Sequence, residues 1–211
     1  MLCHYQNFHR GAFVVFSVLA LLLLTSCTEL IRQNHKIDLK TLEGGSYRLD
    51  SSHSTLLFKV DHFGLSTYVG RFNKISATLE FDPDNIQETS LMAIVETSSI
   101  DVNNPEFSET LTGEDWFDSQ NFPQAVYETQ GVKSINGNNI VYEGTLTMLG
   151  KVVPVDLQVH FRGGANNMLT GYYTIGFSAK SVLKRSDFGL DRYLGLVGDE
   201  VALEVFAEFV R

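Results

Sequence analysis

From residue 47 to the end of the chain, apolar side chains recur at every second position in one run after another, with turn residues between the runs. A side-chain period of two belongs to β-strands with one buried face, so this pattern confines the chain to an all-β architecture. The last run is the clearest: Val201, Leu203, Val205, Ala207 and Phe209 alternate with Glu204 and Glu208. The first run, Tyr47 to Phe63, puts Leu56, Phe58, Val60 and His62 on one face and Leu57, Lys59 and Asp61 on the other. The second, Tyr68 to Phe81, changes parity between Phe72 and Ile75, which predicts a bulge near Asn73-Lys74. Further runs are Thr89 to Ile100, Ala125 to Ile135, Ile140 to Leu149, Val152 to Phe161, Gly171 to Val182 and Glu200 to Val210. Turn signals stand at Asp82-Pro83-Asp84-Asn85, Asn136-Gly137, Gly150-Lys151, and Gly163-Gly164 with Asn166-Asn167.

One segment breaks the rhythm. Asn103 to Asn121 carries Phe107, Leu111, Trp116 and Phe117 among acids, and reads as one or two short helices. The expected fold is an extended, eight-stranded antiparallel lipocalin-like barrel with a short helical insert. Long strands with one apolar face must close on themselves or pack on a second sheet. Closure at eight strands leaves room for side chains or one small ligand. The helical insert is a natural gate for the mouth of such a barrel.

The amino end carries a different signal. His4, His9 and Arg10 precede an apolar stretch, residues 12 to 24, interrupted only by Ser17, and Leu24-Thr25-Ser26-Cys27 follows. A basic start, a short apolar core and a small-residue cleavage site make a secretory signal, too short for an ordinary membrane span. The tail resembles a bacterial lipobox, which implies cleavage before Cys27 and acylation of that cysteine. The alternatives are an ordinary signal peptide or an uncleaved anchor. The expected organisation is a lipoprotein signal peptide at 1–26, an acylated cysteine and tether at 27–45, and one domain at 46–211. The implied location is the periplasmic side of a bacterial membrane, with the outer membrane favoured because Thr28 is not Asp. Cleavage removes Arg10 and no acid, so the 16 Lys and Arg fall to 15 against 25 Asp and Glu, a net charge of −10. Without a Lys/Arg cluster, nucleic acid is not expected as a partner. Cys3 leaves with the signal and Cys27 takes the lipid, so the mature chain has no disulfide, cysteine nucleophile or cysteine metal site.

Several motifs, taken in order, carry a resemblance. They are Tyr47-Arg48-Leu49-Asp50, Phe58-Lys59-Val60-Asp61-His62-Phe63-Gly64, Gly70-Arg71-Phe72, Trp116-Phe117-Asp118 with Phe122-Pro123, Gly144-Thr145-Leu146-Thr147-Met148-Leu149-Gly150, Arg185-Ser186-Asp187-Phe188-Gly189 and Val197-Gly198-Asp199-Glu200. The series resembles the YceI-like family of periplasmic lipid-binding proteins over roughly residues 46 to 211. The resemblance implies a barrel whose long interior holds an isoprenoid or similar amphiphile. This chain departs from the family's Arg-Asp-x-His-Leu stretch: Phe107-Ser108-Glu109-Thr110-Leu111 stands there, so the roles of those polar groups do not carry over.

The inward parity supplies the candidate tail contacts. They are Phe58 and Val60 in the first run, then Phe72, Leu79 and Phe81, then Tyr142, Leu146 and Met148, then Leu157, Val159 and Phe177. Trp116 and Phe117 join them as the gate. Gly70 and Gly144 interrupt the apolar face and predict free volume there. The alternative is a barrel filled by its own side chains. Polar candidates for a ligand head group are His62, Arg185 and Asp187, each with a plainer reading as a buried histidine, an ion pair or a turn cap. His53 and His62 lie on opposite parity and do not predict a metal site, and Asp50 and Ser54 read as ordering the start of the first strand. Catalysis is not expected: the chain has no Gly-x-Ser-x-Gly elbow, no His-Glu-x-x-His and no phosphate loop. The expected function is therefore a lipid-anchored carrier with no cofactor beyond a bound isoprenoid or quinone. A partner-binding barrel without lipid is the rival reading, and an enzyme acting on an isoprenoid or quinone a remote one. Phe206 and Val210, as an outward apolar stripe, would suit a homodimer.

Overall fold

A computed structural model of the protein describes residues 38–211. The stretches read as a signal peptide and lipobox, and Cys27, lie outside the described residues. The strands are β1 (Gly45–Leu49), β2 (Thr55–His62), β3 (Ser66–Phe72), β4 (Ile75–Phe81), β5 (Ser90–Glu96), β6 (Ile100–Asp101), β7 (Gln124–Asn136), β8 (Asn139–Met148), β9 (Lys151–Pro154), β10 (Leu157–Asn166), β11 (Tyr173–Lys184) and β12 (Val197–Val210). One α-helix, α1 (Pro105–Thr112), sits between β6 and β7. Asn104 caps it, accepting from Phe107 N at 3.1 Å, and Pro105 occupies its first turn.

The sheet closes into an antiparallel ring of eight in the order β1-β4-β5-β7-β8-β10-β11-β12, with β12 returning to β1. The twelve strands are the eight expected ones, four of them bent. The first breaks at the turn Ser51–His53, so β12 pairs with β1 through Phe209 and Val210 and with β2 through Val201 to Phe206. The second breaks at Asn73-Lys74, where the parity of the sequence changes. The third breaks at Thr97–Ser99 and the sixth between Pro154 and Leu157. The longest uninterrupted ladder, β11 on β12, runs from Thr174↔Val210 to Lys184↔Glu200. Twelve residues of β11 span about 40 Å, which at a usual barrel tilt of roughly 40° makes a wall about 30 Å tall.

The two ends differ. One is floored by aromatic rings in edge-on and tilted contact: Phe81 on Phe161 at 5.4 Å, Phe161 on Phe177 at 4.6 Å, and Phe177 on Phe209 at 5.4 Å. Such pairs add about 0.5–1.5 kcal/mol each beyond the area they bury. At the other end α1, residues 113–123 and the loop 185–196 gather over the barrel. There Phe107, Trp116 and Phe117 pack against Phe72 and Leu111, and Phe188 and Leu190 pack against Met148.

Three expectations are corrected here. Gly163-Gly164 does not turn the chain but lies inside β10 at a register shift, and the turn falls between Asn167 and Tyr172. Val210 is buried, because β12 ends between β1 and β11, so the outward stripe is reduced to Phe206. Leu42 is also buried, in the floor beside Gly164, and Leu39 packs on the same cluster, so the folded part begins before residue 46.

Candidate functional site

The alternating faces of the ring enclose a long cavity of about 540 Å³. Liganded pockets commonly fall between about 300 and 1,000 Å³. It runs from Phe161, Phe177 and Phe209 at the floor to His62, Phe63, Tyr68, Phe107, Trp116 and Tyr193 at the mouth. The barrel is therefore hollow and not filled by its own side chains.

Of the sequence candidates for the tail, Phe58, Val60, Phe72, Leu79, Trp116, Phe117, Tyr142, Leu146, Met148, Leu157, Val159 and Phe177 all line this cavity. Phe81 does not. It is buried beneath the floor, edge-on to Tyr47 and tilted against Phe161. The inward parity of β12, from Val201 to Phe209, and of β7, Ala125, Tyr127 and Thr129, also lines the wall. Those two stretches were legible from alternation but were not among the candidates.

The two glycines do not mark empty space. A Cβ on Gly70 would lie 2.3 Å from Phe58 Cζ and 2.9 Å from Val102 Cγ1, and one on Gly144 would lie 2.4 Å from the Tyr127 hydroxyl. Each glycine lets an aromatic ring from a neighbouring strand approach where a Cβ would otherwise stand. They shape the cavity wall rather than widen it.

The three head-group candidates separate. Asp187 is exposed and lies outside the cavity, because the turn Arg185–Phe188 sends Phe188 inward in its place. Arg185 is buried at the upper wall and is engaged with the backbone: Nε donates to Gly198 O at 2.8 Å, one terminal nitrogen to Leu190 O at 2.6 Å and Arg192 O at 2.9 Å, the other to Val197 O at 3.0 Å. Four of its five N–H groups thus hold the mouth loop. Burial pushes the guanidinium below its ordinary pKa, and Asp199 and Asp191 oppose that shift. His62 lines the mouth, its ring 4.6 Å from that of Phe63 and 6.0 Å from that of Tyr68; the ring nitrogens make no hydrogen bond among the described residues, while the backbone carbonyl accepts from Leu65 N at 3.1 Å. Phe107, at the position where the family pattern has arginine, also lines the mouth.

The gate region has its own geometry. Trp116 stands edge-on to Phe107 and tilted against Tyr193, both at 6.3 Å, and Phe117 stands edge-on to Phe72 at 5.6 Å. An exposed ion pair, Asp115 with Arg192, joins the insert to the mouth loop. Phe63 and Tyr193 flank the mouth with positive φ angles of 60° and 59°, and both are more than half exposed. A left-handed backbone at a bulky residue costs about 1–2 kcal/mol and persists only where its surroundings enforce it. Here Phe63 N donates to Leu196 O at 2.8 Å, which ties the two loops together, and Val197 N donates to Tyr193 O at 2.9 Å, which closes the turn at Tyr193.

On the outer surface near the floor, His53 meets Asp50 and Glu208 rather than His62, with ligand-type atoms all within 4.8 Å. Asp50 accepts from Ser52 N at 3.0 Å, Ser52 Oγ at 2.5 Å and His53 Nδ1 at 2.9 Å, and Ser54 Oγ accepts from Glu208 N at 3.2 Å. The group caps the turn between β1 and β2.

A YceI-like domain matches residues 47–209. A UPF0312 protein of Shewanella oneidensis is 32% identical over 162 residues, covering 77% of this chain and 84% of that one. A UPF0312 protein of Yersinia pestis is 32% identical over 167 residues, covering 78% and 86%. Among solved structures, BcnA of Burkholderia cenocepacia superposes with a TM-score of 0.68 at 25% identity, covering 76% of this chain and 98% of that one. A polyisoprenoid binding domain from Saccharophagus degradans superposes with a TM-score of 0.61 at 13% identity over 80% and 99%, a likeness of fold.

Proposed function

This chain belongs to the YceI-like domain family, and from that premise we propose that it binds one long-chain isoprenoid or similar amphiphile in its barrel as a carrier or store. The observation that carries the reading is the cavity itself: about 540 Å³, about as long as the barrel wall, and lined almost wholly by apolar side chains. Binding is then hydrophobic sequestration. Each methylene moved from water contributes about 0.8 kcal/mol, so a long tail supplies affinity with little demand for polar contacts. The polyisoprenoid binding domain of similar fold supports the same ligand class. Among the described residues the lining holds no carboxylate, and binding without turnover is the reading we favour. The segment from α1 to Trp116 serves as the gate, since Trp116 and Phe107 overhang the mouth and meet the loop opposite through the Trp116–Tyr193 ring contact and an exposed ion pair.

The chain is further proposed to be acylated at Cys27 and held on the periplasmic side of a bacterial membrane, with the outer membrane favoured. Metabolic labelling with a clickable palmitate should mark the wild type and not Cys27→Ala. The ligand reading is tested on residues 38–211, which close their own barrel, by native mass spectrometry after expression without added lipid. A stoichiometric long-chain adduct, lost in Leu146→Asp and Phe177→Asp variants that still fold, is expected. A clean apo mass that persists after incubation with quinones and prenyl lipids would leave the barrel working through its outer surface.

A further inference from the structure

Exposed apolar side chains at the mouth gather on two tips. One is the turn between β2 and β3, where Phe63 is half exposed and Leu65 is 88% exposed. The other is the loop before β12, which exposes Tyr193, Leu194 and Leu196. The tips are neighbours, joined by the bond from Phe63 N to Leu196 O. Both project outward: a Cβ built on Gly64 or on Gly195 would meet nothing within 4 Å. No Asp, Glu, Lys or Arg stands between Asp61 and Arg71, or between Arg192 and Asp199. The two charges that border the tips on their cavity-strand sides are engaged, Asp61 accepting from Gly64 N at 2.8 Å and Arg192 paired with Asp115. A contiguous exposed apolar patch of more than a few hundred Å² marks an interaction surface.

The patch continues into the cavity. Phe63 and Tyr193 line the mouth and are also more than half exposed, so one apolar surface runs from the outer tips to the interior. Another exposed apolar tip, Met168 and Leu169 between β10 and β11, lies at the floor end and lines no part of the cavity. A second copy of the chain fits the rim poorly. The five exposed side chains, of at most about 200 Å² each and roughly half exposed, present about 500 Å², against about 800 Å² per partner in a standard protein interface. A bilayer fits, because apolar groups enter its interfacial layer without needing a complementary surface. Charge selects the kind of bilayer. The flank of the rim holds exposed Glu114, Asp115 and Asp191, and the whole chain has a net charge of −9, so anionic headgroups repel it and zwitterionic ones do not.

We propose that this rim docks onto a zwitterionic bilayer surface and sets the mouth in the headgroup layer, so that a lipid passes between membrane and barrel without crossing water. This rests on the amphiphile-binding reading above and adds the surface through which the ligand is exchanged. It also gives a use to the left-handed backbones of Phe63 and Tyr193, whose strain keeps two aromatic rings at the boundary between cavity and solvent.

The test is co-sedimentation of residues 38–211, which lack Cys27 and so any acyl chain on it, with sucrose-loaded vesicles of phosphatidylcholine, alone or with an equal share of phosphatidylglycerol. Millimolar lipid is needed, because a rim of this size should bind no more tightly than a single myristoyl chain, about 10⁴ M⁻¹. Wild type should partition onto phosphatidylcholine and less onto the mixture. Leu65→Ser combined with Leu196→Ser should weaken partition about ten- to hundredfold, and Leu169→Ser, at the floor, less than about twofold. Leu65 is almost wholly exposed, so Leu65→Ser alone, with an expected loss of about three- to tenfold, keeps the test decisive if the double variant folds poorly. Native mass spectrometry of the same preparations reports the bound lipid. Wild type that stays in the supernatant yet carries a long-chain adduct overturns the docking rim and leaves the barrel a lipid binder. Partition that survives in the rim variants, or that rises with phosphatidylglycerol, overturns it too. A dimer that the rim variants break, with no sedimentation of wild type, assigns the rim to a second copy instead. Wild type that sediments but takes up no quinone or prenyl lipid keeps the docking surface and overturns the lipid reading, and with it the exchange role.

Discussion

Replacing Arg185 with leucine should loosen the mouth without touching the cavity's apolar wall. The guanidinium donates to four backbone carbonyls, those of Gly198, Leu190, Arg192 and Val197, at 2.6 to 3.0 Å, and the side chain is 6% exposed. Hydrogen bonds from a charged donor contribute about 1.5–3 kcal/mol each, which gives roughly 6–12 kcal/mol gross for four. The guanidinium regains its hydration on unfolding, and burial already depresses its pKa, so much of that gross is offset. A net loss of about 3–5 kcal/mol is expected, the usual result of removing one partner from a buried charged network. For a domain of this size that corresponds to a fall in melting temperature of about 6–20 °C. Urea unfolding measures the loss, and amide exchange locates it in residues 189–198. Arg185→Lys should recover only part, because an ammonium offers three donors from one point where the fork offers five. A leucine variant within about 1 kcal/mol of wild type, with unchanged exchange in the loop, would refute the view that this arginine holds the mouth together.

Other perturbations follow from the same contacts. Gly70→Ala would place a methyl 2.3 Å from Phe58 Cζ, forcing that ring into the cavity; a destabilisation of about 1–3 kcal/mol is expected by thermal melting, together with weaker ligand retention. The exposed Asp115–Arg192 pair contributes at most about 1 kcal/mol, so Asp115→Asn or high salt should speed ligand exchange by up to about fivefold at unchanged fold stability, as followed by stopped-flow. Trp116 is the only tryptophan and lines the cavity, so ligand uptake should change its fluorescence, and an unchanged spectrum on saturation would place the ligand elsewhere. Bonds from Ser52 and then His53 hold Asp50 at about 2, below its ordinary 3.8, while the Asp50 bond raises His53 above 6.5. The Asp50 contribution is present above pH 3.8 and lost as pH falls through 2. That of His53 is present below 6.5 and lost as pH rises through its folded pKa. The stability gap between wild type and His53→Ala should therefore be wider at pH 5.5 than at pH 9, and an equal gap at both would discount the pair.

The ring of eight was legible because each strand keeps one face dry. Strict alternation in β12 fixed which of its residues face the cavity, and the parity change at Asn73-Lys74 located the bend between β3 and β4. Turns were less legible where glycine serves more than one purpose. Gly163-Gly164 reads as a turn, yet Gly163 absorbs a register shift inside β10, and a Cβ on Gly164 would meet Ile175, Tyr173 and Leu42. The 3-10 turn at Arg185–Phe188 has no period of two or 3.6 to reveal it. Its geometry exchanges the positions that side-chain chemistry suggests, turning Phe188 inward and Asp187 outward.

Parity tells which side chains face the interior, but not how far each reaches or what fills the space before it. Gly70 and Gly144 look alike in sequence, as gaps in an apolar face. Both gaps are closed by rings from the strand next door, Phe58 over one and Tyr127 over the other. The difference lies in what the ring carries. Phe58 presents only hydrocarbon, so the wall at Gly70 remains featureless to a lipid tail. Tyr127 brings a hydroxyl to the wall at Gly144 and leaves it unpartnered beside Tyr142. A polar feature of the interior is thus written in the pairing of β7 with β8, Thr129 opposite Gly144, and not in any local motif. The tail contacts are many, similar and individually weak, and which surface each strand offers them is set by the ring that its neighbour lays across it.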